Sequence, residues 1–252
     1  MSDKAEAAAQ FFLGLRAPDA VPADDLPAVL RPDDDAELIA IYVATMRKLG
    51  PIGGWKVGAP TPTATPWGSP LPAAGIHPSP SVVPSRLRAV ECEIGFRFGR
   101  ALPPRAEEYD AADIAAAIET CFATIEVVEP RYRDYRAVDP TAIRSDLGMH
   151  GALVVGAPIA AWTPEMFVTL AVTLTVDGAL RRQAVGSNPG GPDLIRQMVW
   201  LANSEVAKAF GGLQAGTVVT TGSWTGIEIV PPGGEAIAQF DGFAPVAVRF
   251  PD

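Results

Sequence analysis

The chain has 252 residues, 20 Lys and Arg against 29 Asp and Glu, a formal net charge of −9, and 48% hydrophobic against 19% charged residues. That is enough apolar material for one sizeable core and excludes wholesale disorder, while the acidic balance without any basic cluster argues against a nucleic-acid partner. Two cysteines, Cys92 and Cys121, are too few for a disulfide scaffold or a cysteine-type zinc site, and their apolar neighbours make them buried free thiols.

The N-terminal stretch MSDKAEAAAQFFLGLRAP lacks the apolar core and cleavage site of a signal peptide, and no segment approaches a membrane span, so a cytoplasmic location without membrane contact is expected. Residues 1–50 read as a helical segment packed on a main β-rich domain, 51–252. Its second helix carries Leu38, Ile41, Tyr42, Met46 and Leu49 at helical spacing, has Asp33–Asp35 at its positive end, and stops at Gly50-Pro51. A short strand follows at G-W-K-V-G. From Ala59 to Pro84 the density of Pro, Thr, Ser and Gly predicts a long loop, anchored by Trp67, Leu71 and Ile76, of the kind that is often functional.

R-A-V-E-C-E-I-G-F-R-F-G reads as a strand. D-A-A-D-I-A-A-A-I-E-T-C reads as a helix, with Asp110 as N-cap and Asp113 in a capping-box position. F-A-T-I-E-V-V-E-P, H-G-A-L-V-V-G-A-P-I and M-F-V-T-L-A-V-T-L-T-V-D-G-A-L-R-R-Q-A-V-G read as further strands, the last a hairpin turning at Asp177-Gly178. Residues 192–210 form the strongest helix pattern, closed by Gly211-Gly212, and the final forty residues are β-rich with turn punctuation. The order of elements points to an α+β or mixed β-rich domain.

Strand alternation places Val90, Cys92, Ile94, Phe96 and Phe98 on one face and Glu91, Glu93 and Arg97 on the other. Glu91 and Glu93 then lie ~7 Å apart along the strand, close enough to converge on one cation, although a solvated strand face gives the same pattern. Glu126 stands in the apolar run F-A-T-I-E-V-V, where a carboxylate is ion-paired, protonated or metal-bound. Only two histidines are present, without His-x-x-x-His spacing, which disfavours a zinc hydrolase; an oxygen-only site favours Mg²⁺ or Mn²⁺.

G-W-K-V-G at 54–58, E-C-E-I-G-F at 91–96 and I-E-V-V-E-P-R-Y at 125–132 together resemble the fumarylacetoacetate hydrolase superfamily, in particular its 2-oxopent-4-enoate hydratase and 4-oxalocrotonate decarboxylase branch. W-L-A-N at 200–203, L-Q-A-G-T-V-V-T-T-G-S at 213–223 and the closing V-A-V-R-F extend the likeness from about Lys56 to the end. The resemblance implies an α+β fold with a mixed β-roll or sandwich flanked by helices. It implies Mg²⁺ or Mn²⁺ on Glu91, Glu93 and Glu126, and a small 2-oxo acid substrate chelated through its carboxylate and 2-oxygen. It also implies a homo-oligomer, able to associate with a related decarboxylase or hydratase. Lys56 matches the family's G-x-K-x-G lysine, as an acid/base of lowered pKa or as a ligand of the substrate carboxylate. Thr221, Gly222 and Ser223 would contact the bound acid, and Asp146 matches the acidic residue of the family's Asp-Asn segment.

Two departures stand out. Asp146-Leu147-Gly148-Met149-His150 replaces Asp-Asn and small residues, so His150 adds a titratable group. The loop 66–78, P-W-G-S-P-L-P-A-A-G-I-H-P, lacks the aspartate and Phe-Gly frequent in relatives, leaving His77 as a substitute or an incidental loop residue. The expected activity is hydration of a 2-hydroxy-dienoate or 2-oxo-alkenoate. Decarboxylation of a 2-oxo-dioate uses the same enolate chemistry. Hydrolysis of an acylpyruvate ranks third, for want of a His-Glu base upstream of Glu91 other than His77. The non-catalytic alternative is a homologue that binds a 2-oxo acid or partner without turnover.

Overall fold

The computed structural model describes residues 3–159 and 161–252. The alternation around Glu91 becomes β5 (Ala89–Phe98), and its apolar face, from Val90 to Phe98, is fully buried. Among the described residues β5 lies inside an eight-stranded mixed sheet. Its order is β2 (Trp67–Pro72), β1 (Ile52–Gly58), β10 (Val218–Ser223), β5, β6 (Ile118–Val128), β7 (His150–Ile159) and β3 (Ile76–Pro78), with β11 (Glu228–Ile229) also on β5. A second sheet runs β4 (Ser81–Val82), β13 (Val246–Arg249), β12 (Glu235–Phe240), β8 (Ala171–Val176) and β9 (Ala179–Val185). The pairs β1–β10, β3–β7 and β4–β13 are parallel and the rest antiparallel.

The main core joins Cys92, Ile94, Phe96, Ile125 and Val127 of the first sheet to Leu174, Ala238, Phe240 and Val248 of the second. Phe96 meets Phe167 edge to face at 5.9 Å, and Trp224 meets Phe240 at 5.7 Å, a geometry that suits aromatic quadrupoles. Both cysteines are free and buried in this layer, as expected. The opposite face of the first sheet carries the polar residues of the site.

Helices α1 (Asp3–Leu15) and α2 (Asp35–Leu49) pack on each other. Leu38, Tyr42 and Met46 enter the main core, whereas Phe12, Leu26 and Ile41 join Tyr132 and Ala142 in a satellite cluster. Helix α3 (Ala111–Ala117) has the expected capping box between Asp110 and Asp113, but it ends early because Ile118 already pairs with Phe98. The segment Met166–Thr169 is helical (α5) rather than strand, and α4 covers Pro140–Ser145. The hairpin turns at Asp177 and Gly178, with φ of 50° and 77°, as a two-residue loop with a right-handed strand twist requires.

Two expectations are corrected. The stretch 59–84 is not a plain loop. Trp67–Pro72 pairs antiparallel with β1, and the segment then supplies β3 and β4. Proline density concealed this, yet Pro70 and Pro72 fit because β2 is an edge strand, where missing donors cost least. The long helix over 192–210 is two, α6 (Leu194–Asn203) and α7 (Glu205–Ala209), since Ser204 adopts an extended backbone and caps the second by accepting from the Ala207 N–H. Among the described residues no helix is long and apolar enough to cross a membrane.

Candidate active site

Strand register assembles the site. On β5 and β6, Glu91 lies directly opposite Glu126 and Glu93 opposite Thr124. On the next strands Lys56 lies opposite Thr220, and Thr220 opposite Gly95. Strand period 2 therefore puts Lys56, Thr220, Glu91, Glu93 and Glu126 on one face. One oxygen from each of the three glutamates falls within 4.8 Å of the others. Glu93 and Glu126 are buried, and Glu91 is half-buried.

Hydrogen bonds hold Glu93 and Glu126 in place. Thr220 donates its hydroxyl to Glu93 Oε2, and the Gly222 N–H donates to the same oxygen at 3.2 Å. Gly222 does so with φ of 91°, a conformation glycine adopts without cost. Lys56 Nζ donates to both oxygens of Glu126 at 2.8 Å and to Gly148 O at 3.0 Å, beneath the Trp67 ring at 5.8 Å. His150 opens β7 with Nδ1 3.3 Å from Glu126 Oε1. Burial pushes the imidazole pKa down to about 4. The ring is thus neutral, with the proton on Nδ1 facing the carboxylate, and Nε2 is buried without a partner.

The electrostatics are those of a crowded anionic site. Burial and then Glu126 push Glu93 up to about 8, and the same causes raise Glu91. Burial would raise Glu126 as well, but Lys56 and His150 outweigh it and its pKa is lowered. For Lys56, burial pulls downward while Glu126, Glu93 and Glu91 prevail, so its pKa is raised. Without a cation, carboxylate attraction thus exceeds desolvation at Lys56; the expected lowering belongs to a lysine beside a bound cation, whose charge would act the other way. When all three carboxylates are ionised, they and the one ammonium leave two negative charges on converging oxygen donors. This donor set fits a hard divalent cation such as Mg²⁺ or Mn²⁺.

The site opens into a cavity of about 230 Å³, lined by Lys56, Trp67, Glu91, Glu93, Gly222 and Ser223 together with Val57, Ala59, Asn188 and Pro189. Of the Thr-Gly-Ser trio, Gly222 and Ser223 reach it. Thr221 is fully buried and donates its hydroxyl to Ile94 O at 2.8 Å. Asp146 lies apart from the glutamates. It sits between Arg131 Nε at 3.5 Å and Arg16 Nη2 at 3.6 Å and accepts from the Arg131 N–H, which fixes the turn that presents Gly148 O to Lys56. His77 is on β3 opposite Val154 and does not line the cavity. Asn188 escaped the sequence reading. Its carboxamide donates to Thr221 O and Gly222 O at 2.8 and 3.2 Å and accepts from the Gly190 N–H. The only hint was its place in S-N-P-G-G, a turn-forming string.

Residues 56–249 match the fumarylacetoacetate (FAA) hydrolase C-terminal family, and the chain belongs to that family. It is 31% identical over 163 residues to a 2-keto-4-pentenoate hydratase of Burkholderia vietnamiensis (strain G4 / LMG 22486), covering 64% of this chain and 60% of the relative. It is 26% identical over 138 residues to a 4-oxalocrotonate decarboxylase of Pseudomonas putida, covering 55% and 51%. The match therefore spans between half and three-fifths of these relatives. In fold, it superposes on the 4-oxalocrotonate decarboxylase from Pseudomonas putida G7 complexed with magnesium and adipate with a TM-score of 0.80 at 22% identity, over 98% and 97% of the two chains. The fumarylpyruvate hydrolase from Pseudomonas aeruginosa in complex with Mn²⁺ and pyruvate gives 0.55 at 17% identity, over 78% and 88%. At these identities the likeness is one of fold.

Proposed function

We propose that the protein is a divalent-metal-dependent hydratase acting on a monocarboxylic 2-hydroxy-dienoate or 2-oxo-alkenoate. One observation carries the preference for a monoacid. Beyond the glutamates the cavity is walled by Val57, Ala59, Pro60, Trp67 and Pro189 with the neutral polar side chains of Asn188 and Ser223, and among the described residues Lys56 is its only cationic side chain. Lys56 is already engaged by Glu126. A dioate would bring a second carboxylate into a cavity whose one cation is already paired, at the cost of desolvating an unpaired charge.

Glu91, Glu93 and Glu126 would hold Mg²⁺ or Mn²⁺, which when bound supplies the positive charge that stabilises a developing enolate. The apolar walls exclude bulk water from the substrate chain. Lys56 Nζ holds a proton that it can deliver to the terminal carbon of the dienol by exchanging one of its three hydrogen bonds. The amine left behind can then take a proton from the water that adds at C4, which restores the ammonium and leaves the enol of the 4-hydroxy-2-oxo acid; transfer of the 2-hydroxyl proton to C3 completes net hydration. His150 keeps Glu126 oriented without competing as an acid, being neutral. Assembly into a homo-oligomer belongs to the same reading, supported by the exposed strand β9 with Leu180 and Val185 open to solvent.

The test is an assay of the purified protein with Mg²⁺ against both substrate types. Loss of dienoate absorbance with a 4-hydroxy-2-oxo acid as product is expected. CO₂ release from a 2-oxo-dioate as the main activity would replace this reading with a decarboxylase, which the P. putida relative favours. Glu126→Gln should abolish metal binding in calorimetry; retained binding would overturn the three-carboxylate site. Lys56→Ala should lower kcat by about 10²–10⁴-fold, the usual worth of a general acid–base, with metal binding intact.

A further inference from the structure

His150 joins the carboxylate site to a second cavity. Its ring contacts Glu126, while its carbonyl accepts from Arg131 Nη1 at 2.8 Å and Arg16 Nη1 at 3.4 Å. The second cavity measures about 570 Å³ and is lined by Arg16, Arg86, Arg88 and Arg131, with Glu129 and Asp252. We propose that this cavity is a binding site for a small oxyanion, a phosphate or carboxylate dianion, separate from the metal site.

Arg86 is matched, with Nε 2.8 Å from Glu129 Oε1. Arg16 and Arg131 must share Asp146 at 3.6 and 3.5 Å, well beyond the ~2.7–2.9 Å of a charge-assisted hydrogen bond. Arg16 Nε and Nη2, Arg131 Nε and Asp146 Oδ1 are all buried without a hydrogen-bond partner. Arg88 pairs with no carboxylate among the described residues; it donates to Val230 O at 3.0 Å and Arg86 O at 2.8 Å. Four guanidiniums thus face two paired carboxylates and the unpaired Asp252 at the rim, leaving an excess of one positive charge. Asp252, the third carboxylate at the rim, is exposed and in no ion pair among the described residues.

Donors are available to meet a ligand. Among the described residues Nη2 of Arg88 and Nη2 of Arg131 donate no hydrogen bond, and neither is sealed from solvent. Arg88 also holds φ at 53°, an uncommon state for a non-glycine residue and one that collects at ligand clamps. It is fixed there by the Ser85 hydroxyl, which accepts from the Arg88 N–H at 2.8 Å. Pro18, Pro84 and Pro232 complete the walls, and their rigid backbones keep the cavity open without an occupant. The size suits a small molecule, and planar guanidiniums suit bidentate oxyanion recognition. Burial and the adjacent Arg131 hold Arg16 down at about 9, the mark of a guanidinium short of counter-charge.

The experiment titrates metal-free protein, dialysed into low-chloride buffer, separately with inorganic phosphate and with succinate, followed by calorimetry. Saturable one-to-one binding of either is expected, and which of the two binds more tightly distinguishes a phosphoryl from a carboxylate ligand. Arg88→Gln should weaken that binding at least tenfold while leaving Mg²⁺ affinity unchanged. No saturation by either anion up to about 10 mM, or equal affinity in Arg88→Gln, overturns the site. Should Arg88→Gln fail to fold, phenylglyoxal labelling of the unaltered protein, mapped by mass spectrometry, gives an independent reading. The anion should protect Arg88, and labelling unchanged by anion overturns the proposal.

Discussion

On the proposed function, Glu93 is where a proton and a cation would compete for the same oxygens. In the metal-free site burial and Glu126 push its pKa up to about 8, so below that pH it is mainly protonated. Binding a cation requires the carboxylate, hence the ion must displace that proton. Metal affinity should therefore rise with pH up to about 8 and level off above it, falling about tenfold per unit on the acid side. Calorimetry of Mg²⁺ binding in two buffers of different ionisation enthalpy would count the proton released. Affinity independent of pH below 8 would contradict the role of Glu93. Glu91 and Glu93 were legible as a pair from strand alternation, and Glu126 from its apolar neighbours, because both are consequences of local sequence. What Lys56 does to Glu126 was not legible, since the contact spans 70 positions and depends on β1 reaching β5 only through β10.

The element that most shapes the site is the turn before β7. Leu147, Gly148 and Met149 take φ of 50°, 62° and 62° in succession, a left-handed run that costs each non-glycine residue about 1–2 kcal/mol. The run aims Gly148 O at Lys56 and Leu147 O at the Ser69 hydroxyl. A Cβ on Gly148 would stand 2.6 Å from Trp67 Cη2 and 3.2 Å from Lys56 Cδ. Gly148→Ala should accordingly destabilise by about 1–2 kcal/mol in denaturant melts and lower kcat by displacing Lys56, with Mg²⁺ affinity kept. Unaltered kcat in a variant so destabilised would show that the turn does not position Lys56. Its departure from the family's Asp-Asn pattern was visible in sequence; its left-handed geometry was not, because Leu and Met give no local signal for positive φ. Similar limits hid β2 behind prolines and the break at Ser204, where one residue's cap outweighed a continuous apolar stripe.

On the scale of the whole molecule, three carboxylates gathered inside one sheet make the metal-free fold carry a repulsion that the proposed cation would remove. Both contributions can be separated. A ligand that binds only the native state stabilises it by RT ln(1 + [L]/Kd), about 2.7 kcal/mol at a hundredfold excess over Kd. For a domain of this size each kcal/mol moves Tm by roughly 2–4 °C, so saturating Mg²⁺ should raise Tm by about 5–10 °C and chelation should reverse it. Glu93→Gln removes the carboxylate whose pKa is raised by burial and by Glu126, and leaves an amide that can still accept from Thr220 and Gly222. Metal-free Glu93→Gln should therefore melt at or above metal-free wild type when both are measured above pH 8, where wild-type Glu93 is charged. The gap should narrow steadily as pH falls from about 8 and close near the ordinary carboxylate value of 4.5, because a group of raised folded pKa has regained its full stability only once the unfolded chain is protonated too. The variant should also lose the Mg²⁺ response. A variant that melts lower than wild type at alkaline pH and still responds fully to Mg²⁺ would mean that the glutamates are held by their hydrogen bonds alone and that the cation binds elsewhere.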